Sequence, residues 1–326
     1  DIRTSSPVNS SIQNITLENI GNNYVGMYFD YPIQTNSTYC FCNLSMDNEL
    51  EFSSSKTMNA SKILMNNISQ GPIDMDWTGY RSFNSFELSN HYCITAISSC
   101  SNEVRIDHAL MSSNTNTKYV FDEINIVGDM QIDVVQGASS TFNNISITHT
   151  TATRALLVAG LRGSSTTIFS NIALIGTSHS SSYTGLETQY IYSDVIFKNI
   201  DVQGFGDEQV HIRSSTYATT QITLSNSTIS NASSTNEWGI YSDSLAKLVI
   251  DNTTISNNAN NDEIDKTYDL GGVYSPNLVL KNSIVRDNYH FTSGTNTIGL
   301  PNHDIECYGV KSSITLNISN STISSN

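Results

Sequence analysis

One short stretch of the sequence brings together side chains that could do acid–base chemistry. The segment GDEQVHIRSS, residues 206–215, contains Asp207, Glu208, His211 and Arg213. Two carboxylates about 5–9 Å apart are the machinery of glycoside hydrolysis, and a neighbouring imidazole can move protons. Alternation from the apolar Val210 and Ile212 predicts that His211 and Arg213 point outward together. We interpret the segment as a solvated surface patch and assign no catalytic residue.

Two further acidic stretches could bind a cation. The segment IDMD places Asp74 and Asp76 on one face of a strand, where a solvated face is the simpler interpretation. The loop NNDEIDKTYD, residues 260–269, is rich in the oxygen ligands that calcium prefers, but it lacks the spacing of a helix–loop–helix calcium site. The histidines are scattered, without metal-ligand spacing. We therefore predict no metal site, and calcium in the 260–269 loop stays the open alternative.

The composition excludes several classes of partner. The net charge is −15, with only 15 Lys and Arg, so no basic face is available for nucleic acid or anionic lipid. Only 14% of the residues are charged, whereas the chain contains 37 Asn, 49 Ser and 33 Thr. This neutral, hydroxyl-rich composition favours a secreted or cell-surface β-protein. No apolar run reaches the length of a membrane span, so we expect no membrane insertion.

The sequence also contains an internal repeat. An apolar residue, any residue and then Asn recur along the chain, with the Asn at Asn14, Asn43, Asn67, Asn144, Asn171, Asn199, Asn226, Asn252, Asn282 and Asn320. From Asn144 onward, successive copies are 26 to 38 residues apart. A motif that recurs at such a period is typical of stacked repeat architectures.

The period of the apolar residues decides the type of repeat. Around each Asn the apolar residues alternate with period two, as in Ile222 and Leu224 or Leu248 and Ile250, which is the strand pattern. Strands that recur at a fixed period pair in parallel. We therefore predict an all-β, right-handed parallel β-helix of about a dozen coils. It is one domain over 1–326, with an N-terminal arm at 1–10 and irregular coils at 70–140; because the last residues repeat the motif, we expect the chain to continue past 326.

The same counting assigns a place to the repeated asparagines. Counting by twos from Leu224 puts Asn226 on the inward face, where a carboxamide could satisfy corner backbone groups in a dry core. The sequence thus predicts an inward Asn ladder.

A second motif alternates with the first: YIYSD, HIRSS, GIYSD, GVYSP and GVKSS. The residue after its buried Ile or Val should face outward, one coil above the next. These residues form a possible ligand stripe for sugars or another protein: Tyr192, Arg213, Tyr241, Tyr274 and Lys311. The simpler alternative is that Tyr is a good exposed strand residue.

These motifs resemble those of a known superfamily. TFNNIS, IFSNIA, IFKNID and GGVYSPNLVLKNSIVRDN are similar to the right-handed parallel β-helix of the pectin-lyase-like superfamily, and most resemble the Gly-Gly-Ala-Ile and Phe-x-x-Asn repeats of polymorphic outer-membrane proteins and related surface adhesins. The resemblance covers roughly residues 9–326, and only Gly271-Gly272-Val273 approaches the first element. It implies a secreted or surface-exposed location. The Asn-Thr-Asp, Asp-Asp, Gly-His-Gly and Arg-Ile-Lys strings of the superfamily's hydrolases do not occur here.

Cysteines and sequons complete the sequence predictions. Cys40, Cys42, Cys93 and Cys100 are disulfide candidates with undetermined pairing, and Cys307 is left over. Twelve Asn-x-Ser/Thr sequons occur, and seven of them are ladder positions, predicted to be inaccessible. The expected glycosylation sites are therefore those outside the ladder: Asn9, Asn36, Asn59, Asn231 and Asn317.

Taken together, the sequence predicts a non-enzymatic structural or adhesive protein without a cofactor, such as a glycosylated stalk or filament subunit. End-to-end self-association, other surface proteins and glycans are the expected partners. A polysaccharide lyase or glycoside hydrolase on the same fold, or a carbohydrate-binding module, stays open.

Overall fold

A computed structural model gives the fold of the chain. It describes residues 2–3, 10–17, 25–28, 38–46, 50–54, 58–69, 73–77, 81–93, 104–107, 118–133, 139–149, 154–161, 166–177, 183–214, 216–232, 238–258, 260–261, 270–288, 290–291 and 307–324. Side chains are described for 120–132, 141–148, 154–161, 166–177, 183–214, 216–232, 238–258, 271–288 and 309–324.

Every regular element in these segments is a β-strand. In chain order they are β1 (Ile2–Arg3), β2 (Ser10–Leu17), β3 (Val25–Tyr28), β4 (Thr38–Met46), β5 (Leu50–Ser54), β6 (Met58–Ser69), β7 (Ile73–Trp77), β8 (Arg81–Cys93), β9 (Val104–Asp107), β10 (Lys118–Val127), β11 (Met130–Asp133), β12 (Ser139–His149), β13 (Arg154–Ala159), β14 (Thr167–Gly176), β15 (Thr184–Gln189), β16 (Val195–Gln203), β17 (Val210–Ile212), β18 (Gln221–Ser225), β19 (Thr228–Ser230), β20 (Trp238–Ser242), β21 (Lys247–Asp251), β22 (Thr254–Ser256), β23 (Asn260–Asn261), β24 (Leu270–Tyr274), β25 (Asn277–Lys281), β26 (Ile284–Arg286), β27 (His290–Phe291), β28 (Cys307–Lys311), β29 (Thr315–Ser319) and β30 (Thr322–Ser324).

The described strands form two main sheets, and up to β18 alternate strands along the chain belong to alternate sheets; β23 and β27 form a separate pair. Sheet A runs β1-β3-β5-β7-β9-β11-β13-β15-β17-β20-β24-β28. Sheet B runs β2-β4-β6-β8-β10-β12-β14-β16-β18-β21-β25-β29, with β19, β22, β26 and β30 stacked beside it. Neighbouring strands pair in parallel, as between β14 and β16 or β21 and β25. The predicted all-β parallel solenoid is thus confirmed.

The predicted count of about a dozen coils is wrong for complete turns with three separate strands. Up to β16, the sheet-B strand runs unbroken past the ladder Asn, as in β12, which contains Asn144. From β18 onward the strand breaks at this Asn, and a separate short strand follows. Turns with three separate strands number about four, ending at β19, β22, β26 and β30.

One column of large side chains fills the core on sheet B. Phe121, Phe142, Phe169 and Phe197 are 0–1% exposed and stack on one another. The first three pairs of ring centroids lie 4.7, 4.2 and 4.9 Å apart. In the next coils the same register position holds Leu224, Ile250 and Leu280, all buried. The predicted apolar alternation therefore identifies the core face correctly.

The inward placement of the Asn ladder is wrong, although the ladder itself exists. Every described ladder residue is exposed: Asn144, Asn171, Asn199, Asn226, Asn252, Asn282 and Asn320. All seven have φ between 48° and 56°. Because a residue in the left-handed region reverses the strand alternation, counting by twos through it gives the wrong face. Asn tolerates this conformation better than most residues, which explains its recurrence.

The outer ladder is hydrogen-bonded along part of its length. Asn171 Nδ2 donates to Asn144 Oδ1 at 3.1 Å, Asn199 Nδ2 to Asn171 Oδ1 at 3.1 Å, and Asn252 Nδ2 to Asn226 Oδ1 at 2.8 Å. Asn14, Asn43 and Asn67 lie at the same register gap in β2, β4 and β6, but their side chains are outside the described set.

The residue after the ladder Asn performs the inward role that the Asn was expected to have. Ser227, Thr253 and Ser283 are buried. The backbone N–H of Ile200 donates to Ser227 Oγ at 3.1 Å, and that of Thr253 to Ser283 Oγ at 3.2 Å. Hydroxyls therefore satisfy the corner amides from one coil to the next.

The cysteine predictions lie outside the described side chains, but the backbone register limits them. Cys42 pairs with Asn66 and Asn66 pairs with Ser89, so Cys93 lies two coils away and four residues further along. That separation is too large for a disulfide from Cys93 to either Cys40 or Cys42. Cys100 is outside the described residues, and Cys307 begins β28. The single-domain boundaries and the irregular coils at 70–140 stay predictions.

Candidate functional site

The outward face of sheet A carries the main concentration of charged side chains among the described residues. Its central column places Leu157, Glu187, His211, Tyr241, Tyr274 and Lys311 in register, one per coil. We call the charged residues at and beside this column the outer-face cluster: Arg154, Glu187, Glu208, His211, Arg213 and Asp243.

Glu187 is the centre of one half of the outer-face cluster. Its side chain is 3% exposed although it points away from the core. Arg213 Nε donates to Glu187 Oε1 at 2.8 Å, and Arg154 Nη1 lies 3.2 Å from the same oxygen. Burial alone would raise the pKa of Glu187, but the hydrogen bonds from Arg213 and Gln189 and the charge of Arg154 together lower it. Glu187 is therefore a carboxylate between two guanidinium groups.

Glu208 and His211 form the other half. His211 Nδ1 lies 3.4 Å from Glu208 Oε2, and His211 Nε2 lies 3.9 Å from Asp243 Oδ1. Burial would raise the pKa of Glu208, but the adjacent His211 lowers it. The imidazole thus sits between two carboxylates that belong to successive coils.

The prediction of a solvated patch at residues 206–215 is wrong for two of its members. Glu208 and His211 are each 7% exposed. His211 does point to the outer side of sheet A, as predicted, but the ring of Tyr241 packs against it edge-on at a centroid distance of 5.2 Å. Period-two alternation tells which side of a sheet a residue occupies, and neighbours on that side decide whether water reaches it.

The structure brings together only part of the predicted ligand stripe. Tyr241 and Tyr274 stack at 5.2 Å with an interplanar angle of 18°, and Lys311 is the next residue of their column. Arg213 lies beside the column and is paired with Glu187. Tyr192 lies elsewhere, with its ring 5.1 Å from that of Tyr217.

The stacking geometry limits what the two tyrosines can recognise. Rings that stack on each other along the solenoid axis present their edges to solvent rather than their flat faces. A sugar ring binds best against an open aromatic face. The pair is therefore better suited to contacts through ring edges and phenol hydroxyls.

Sequence reasoning missed Glu187, Arg154, Asp243 and Trp238 as members of this face. Trp238 is buried, with its ring 5.7 Å from that of Tyr274. They come from three different coils and share no motif. Only the register of sheet A, which unequal loops conceal in the sequence, brings them together.

The described residues contain no group of three or more His, Cys, Asp or Glu side chains placed to hold a metal ion. Of the 260–269 loop only β23 is described, so calcium there stays a prediction. The outer-face cluster holds charged groups and hydrogen-bonding groups in fixed positions on the outward face of sheet A. Glu187 already lies between two guanidinium groups, which disfavours it as a free general acid or nucleophile.

The expected glycosylation sites were selected as sequons outside the ladder, because ladder residues were predicted to be buried. Asn231 and Asn317 are exposed, as required, but so are the ladder sequons at Asn144, Asn226, Asn252 and Asn320. Burial therefore does not separate the two sets. Asn9 and Asn36 lie outside the described residues, as does the side chain of Asn59, so all five sites stay predictions.

Comparison with known proteins assigns no relative: no family model, curated protein or solved structure matches the chain. Within the residues that the structure describes, no helix is long and apolar enough to cross a membrane. The class of protein that the fold defines is a parallel β-solenoid.

Proposed function

We propose that this chain is an extracellular, non-enzymatic structural or adhesive β-solenoid, such as a stalk or a subunit of a surface fibre. The observation that carries the proposal is the repetition along the shaft. A buried apolar column and an outer Asn ladder recur from coil to coil, and neighbouring strands pair in parallel. Such repetition produces a stiff rod whose properties depend on stacking rather than on one site.

The surface chemistry supports the same proposal. The outer ladder presents neutral amides, and the whole chain has few charges for its length. A secreted, glycosylated location accounts for this composition better than a cytosolic one. The proposed partners are a second copy of the chain, end to end, other surface proteins and glycans.

A second candidate is a carbohydrate-active protein that uses the outer-face cluster. The favouring observation is the convergence of Glu187, Glu208, His211 and Arg213 on one sheet face. The opposing observations are that Glu187 is already paired with Arg154 and Arg213, and that the pKa values of Glu187 and Glu208 are lowered rather than raised. A general acid in a glycosidase needs a raised pKa.

The test is a panel of acidic and neutral polysaccharides, with assays for new reducing ends and for unsaturated products. We expect binding at most, and no turnover. Turnover that is lost in both Asp207→Ala and Arg213→Ala, but retained in the matched surface variant Lys247→Ala, would replace the structural proposal by the enzymatic one. Sugar binding without turnover that depends on Tyr241 and Tyr274 would favour the lectin-like alternative.

A further inference from the structure

The ladder sequons were predicted to be inaccessible, but the structure turns them outward. Three of these sequons lie in interior coils whose side chains are described, at Asn144, Asn226 and Asn252. All three asparagines are exposed, with φ between 49° and 52°. A sequon asparagine has to present its amide at the protein surface to receive a glycan. The three therefore meet the first requirement of an acceptor, and other features must separate them.

The backbone separates Asn144 from the other two. Asn144 lies within β12, which pairs along its length with β10 on one side and with β14 on the other. Asn226 lies in the break between β18 and β19, and Asn252 lies in the break between β21 and β22. A glycan acceptor is typically a surface loop, and a strand that is paired on both sides cannot leave the sheet without losing its backbone hydrogen bonds. Asn144 is therefore the least suitable of the three.

The side-chain hydrogen bonds separate Asn226 from Asn252. Asn252 Nδ2 donates to Asn226 Oδ1 at 2.8 Å, so the nitrogen of Asn252 is engaged. Asn144 Nδ2 is engaged as well, since it donates to Asp122 Oδ1 at 3.0 Å. Among the described residues, Asn226 Nδ2 has no hydrogen-bond acceptor. Because the oxygen of the Asn226 amide is held by the next coil, its nitrogen points away from that coil.

The hydroxyl residue that completes each sequon follows the same order. Thr228 is exposed, whereas its register partner Thr254 is half-buried. Ser146, which completes the sequon of Asn144, is half-buried within β12. The acceptor motif requires this hydroxyl together with the amide. Both groups of the motif are thus most accessible at Asn226.

We propose that Asn226 is an N-glycosylation site and that Asn144 and Asn252 stay unmodified in the folded chain. This inference rests on the proposed extracellular function, because the transferase belongs to the secretory route. The donor is a lipid-linked oligosaccharide diphosphate. A bond forms between Asn226 Nδ2 and the anomeric carbon of the first sugar, and the bond from that carbon to the diphosphate oxygen breaks. The lipid diphosphate leaves with the electron pair, and Nδ2 loses one proton to solvent.

The modified residue keeps its place in the ladder. The reacting atom is Nδ2, so Asn226 Oδ1 continues to accept the hydrogen bond from Asn252. The two asparagines are one coil apart, about 4.8 Å, a spacing at which two first sugar rings would collide unless the amides turned apart. One glycan at this level of the shaft therefore excludes a second one on the neighbouring coil without breaking the ladder.

The site also decides which face of the shaft carries sugar. No strand of sheet A that the structure describes contains a sequon asparagine. A glycan on Asn226 emerges beside sheet B, at the break between β18 and β19. The outer-face cluster on sheet A thus stays uncovered and available to a partner.

The first experiment measures glycan transfer to the folded chain. The protein is produced in a host without N-glycosylation and is then offered to purified oligosaccharyltransferase with lipid-linked oligosaccharide. Synthetic peptides of residues 222–230 and 248–256 present the sequons of Asn226 and Asn252 outside the fold. We expect both peptides to be modified at similar rates, and we expect the folded chain to be modified at Asn226 more than tenfold faster than at Asn144 or Asn252.

Two results would overturn the proposal in this assay. One is equal modification of Asn226 and Asn252 in the folded chain, or a preference for Asn144. The other is a folded chain in which Asn226 stays bare although the peptide of residues 222–230 is modified. Either result would mean that the free amide nitrogen and the exposed hydroxyl do not select the acceptor.

The second experiment uses matched variants of the chain secreted from eukaryotic cells. Thr228→Ala removes the sequon of Asn226, and Thr254→Ala removes that of Asn252, while both ladder amides stay in place. We expect Thr228→Ala to lose one glycan and Thr254→Ala to lose none, with the same circular dichroism. Mass spectrometry of the tryptic peptide 214–247 gives the occupancy, with fragmentation that separates Asn226 from Asn231.

The opposite pattern in the secreted chain would contradict the proposal. A glycan that is lost in Thr254→Ala but kept in Thr228→Ala would place the modification on Asn252. Failure at Asn226 leaves the structural function intact, because it concerns a single acceptor. Turnover of a polysaccharide would overturn the structural function, but it would not change transfer to the folded chain by the purified enzyme.

Discussion

Asparagine stacks on asparagine at two places in this solenoid, once in solvent and once in the core. In the outer ladder, Asn252 donates to Asn226 at 2.8 Å and both residues are exposed. In the core, Asn258 donates to Asn288 at 2.9 Å, and the two are 0% and 1% exposed. The distances are alike, but the backbone and the surroundings differ.

The difference separates two uses of one side chain. The outer residues occupy the left-handed region, where the backbone conformation is what Asn supplies. The inner pair satisfies buried carbonyls: Asn258 Nδ2 donates to Ile229 O and Asn288 Nδ2 to Ile255 O, each at 3.0 Å. Hydrogen bonding should therefore dominate the energetics inside, and conformation outside.

The largest expected effect is at the inner pair. Asn288→Leu keeps the volume but removes the acceptor of Asn258 and the donor to Ile255 O. Leaving several buried groups unpaired should cost ~3–4 kcal/mol of the free energy of unfolding, measured in urea. The matched change Asn282→Leu in the outer ladder removes exposed hydrogen bonds only, such as the one to Asp251, and should cost ~1–2 kcal/mol, mainly from backbone strain. If the two substitutions lowered the free energy of unfolding equally, the distinction between the inner pair and the outer ladder would be contradicted.

Gly239 lies beside the inner pair and offers a second test of how that pair is packed. A Cβ on Gly239 would lie 2.7 Å from Asn258 Nδ2 and 2.9 Å from its Cγ. Gly239→Ala should therefore destabilise the chain by ~2 kcal/mol, as overpacking typically does. In an Asn258→Ala background the same change should cost less, because the contact with the amide is gone, but a cost should remain, because the backbone oxygen of Gly272 also lies 2.9 Å from the added Cβ. A double-mutant cycle with no coupling would mean that the two residues are not in contact.

The outer ladder should respond to conformation more than to its amides. Asn252→Ala should cost ~1 kcal/mol, because Ala carries a Cβ penalty at φ 49° and lacks local compensation. Asn252→Gly should change stability by only a few tenths of a kcal/mol, since Gly adopts this φ without strain. If Gly proved as costly as Ala, the amide ladder itself would be the stabilising element.

Acid should separate the neutral inner pair from the charged outer-face cluster. The pKa of Glu187 and that of Glu208 are lowered from an ordinary value of 4.5. Their stabilisation is therefore fully present above pH 4.5 and is lost as the pH falls through the lowered values. We expect the protection of the β15 and β17 amides from hydrogen exchange, taken relative to the intrinsic rate at each pH, to fall below pH 4.5, and the protection at Asn258 to fall less. Glu187→Gln should reduce this pH dependence.

The sequence was sufficient for the fold because the core pattern is local. Phe169 and Phe197, or Leu248 and Ile250, carry a period-two signal that needs no distant information. The face of the ladder was not predictable by the same counting, since one left-handed residue such as Asn226 shifts every later position. In the last four copies, a repeated Asn just before a hydroxyl residue is the signal that could have shown the shift, whereas in the other described copies the next residue is Ile.

The outer-face cluster was beyond sequence reasoning for a different reason. Glu187 and His211 are register partners across loops of unequal length, and their burial depends on Arg213 and Tyr241 packing around them. The inner pair was missed because Asn258 and Asn288 look like ordinary loop residues. Only the carbonyls that they face show what they do.

The most direct test of the account is a paired cysteine experiment on the outer ladder. Parallel neighbours lie about 4.8 Å apart, within the range that a disulfide spans. In the variant with Asn226→Cys and Asn252→Cys, we expect an intramolecular disulfide on mild oxidation. After reduction, both thiols should react with a maleimide as fast as in the unfolded chain. A folded protein in which the two thiols fail to cross-link, or are protected from the reagent, would contradict an outward ladder of directly stacked coils.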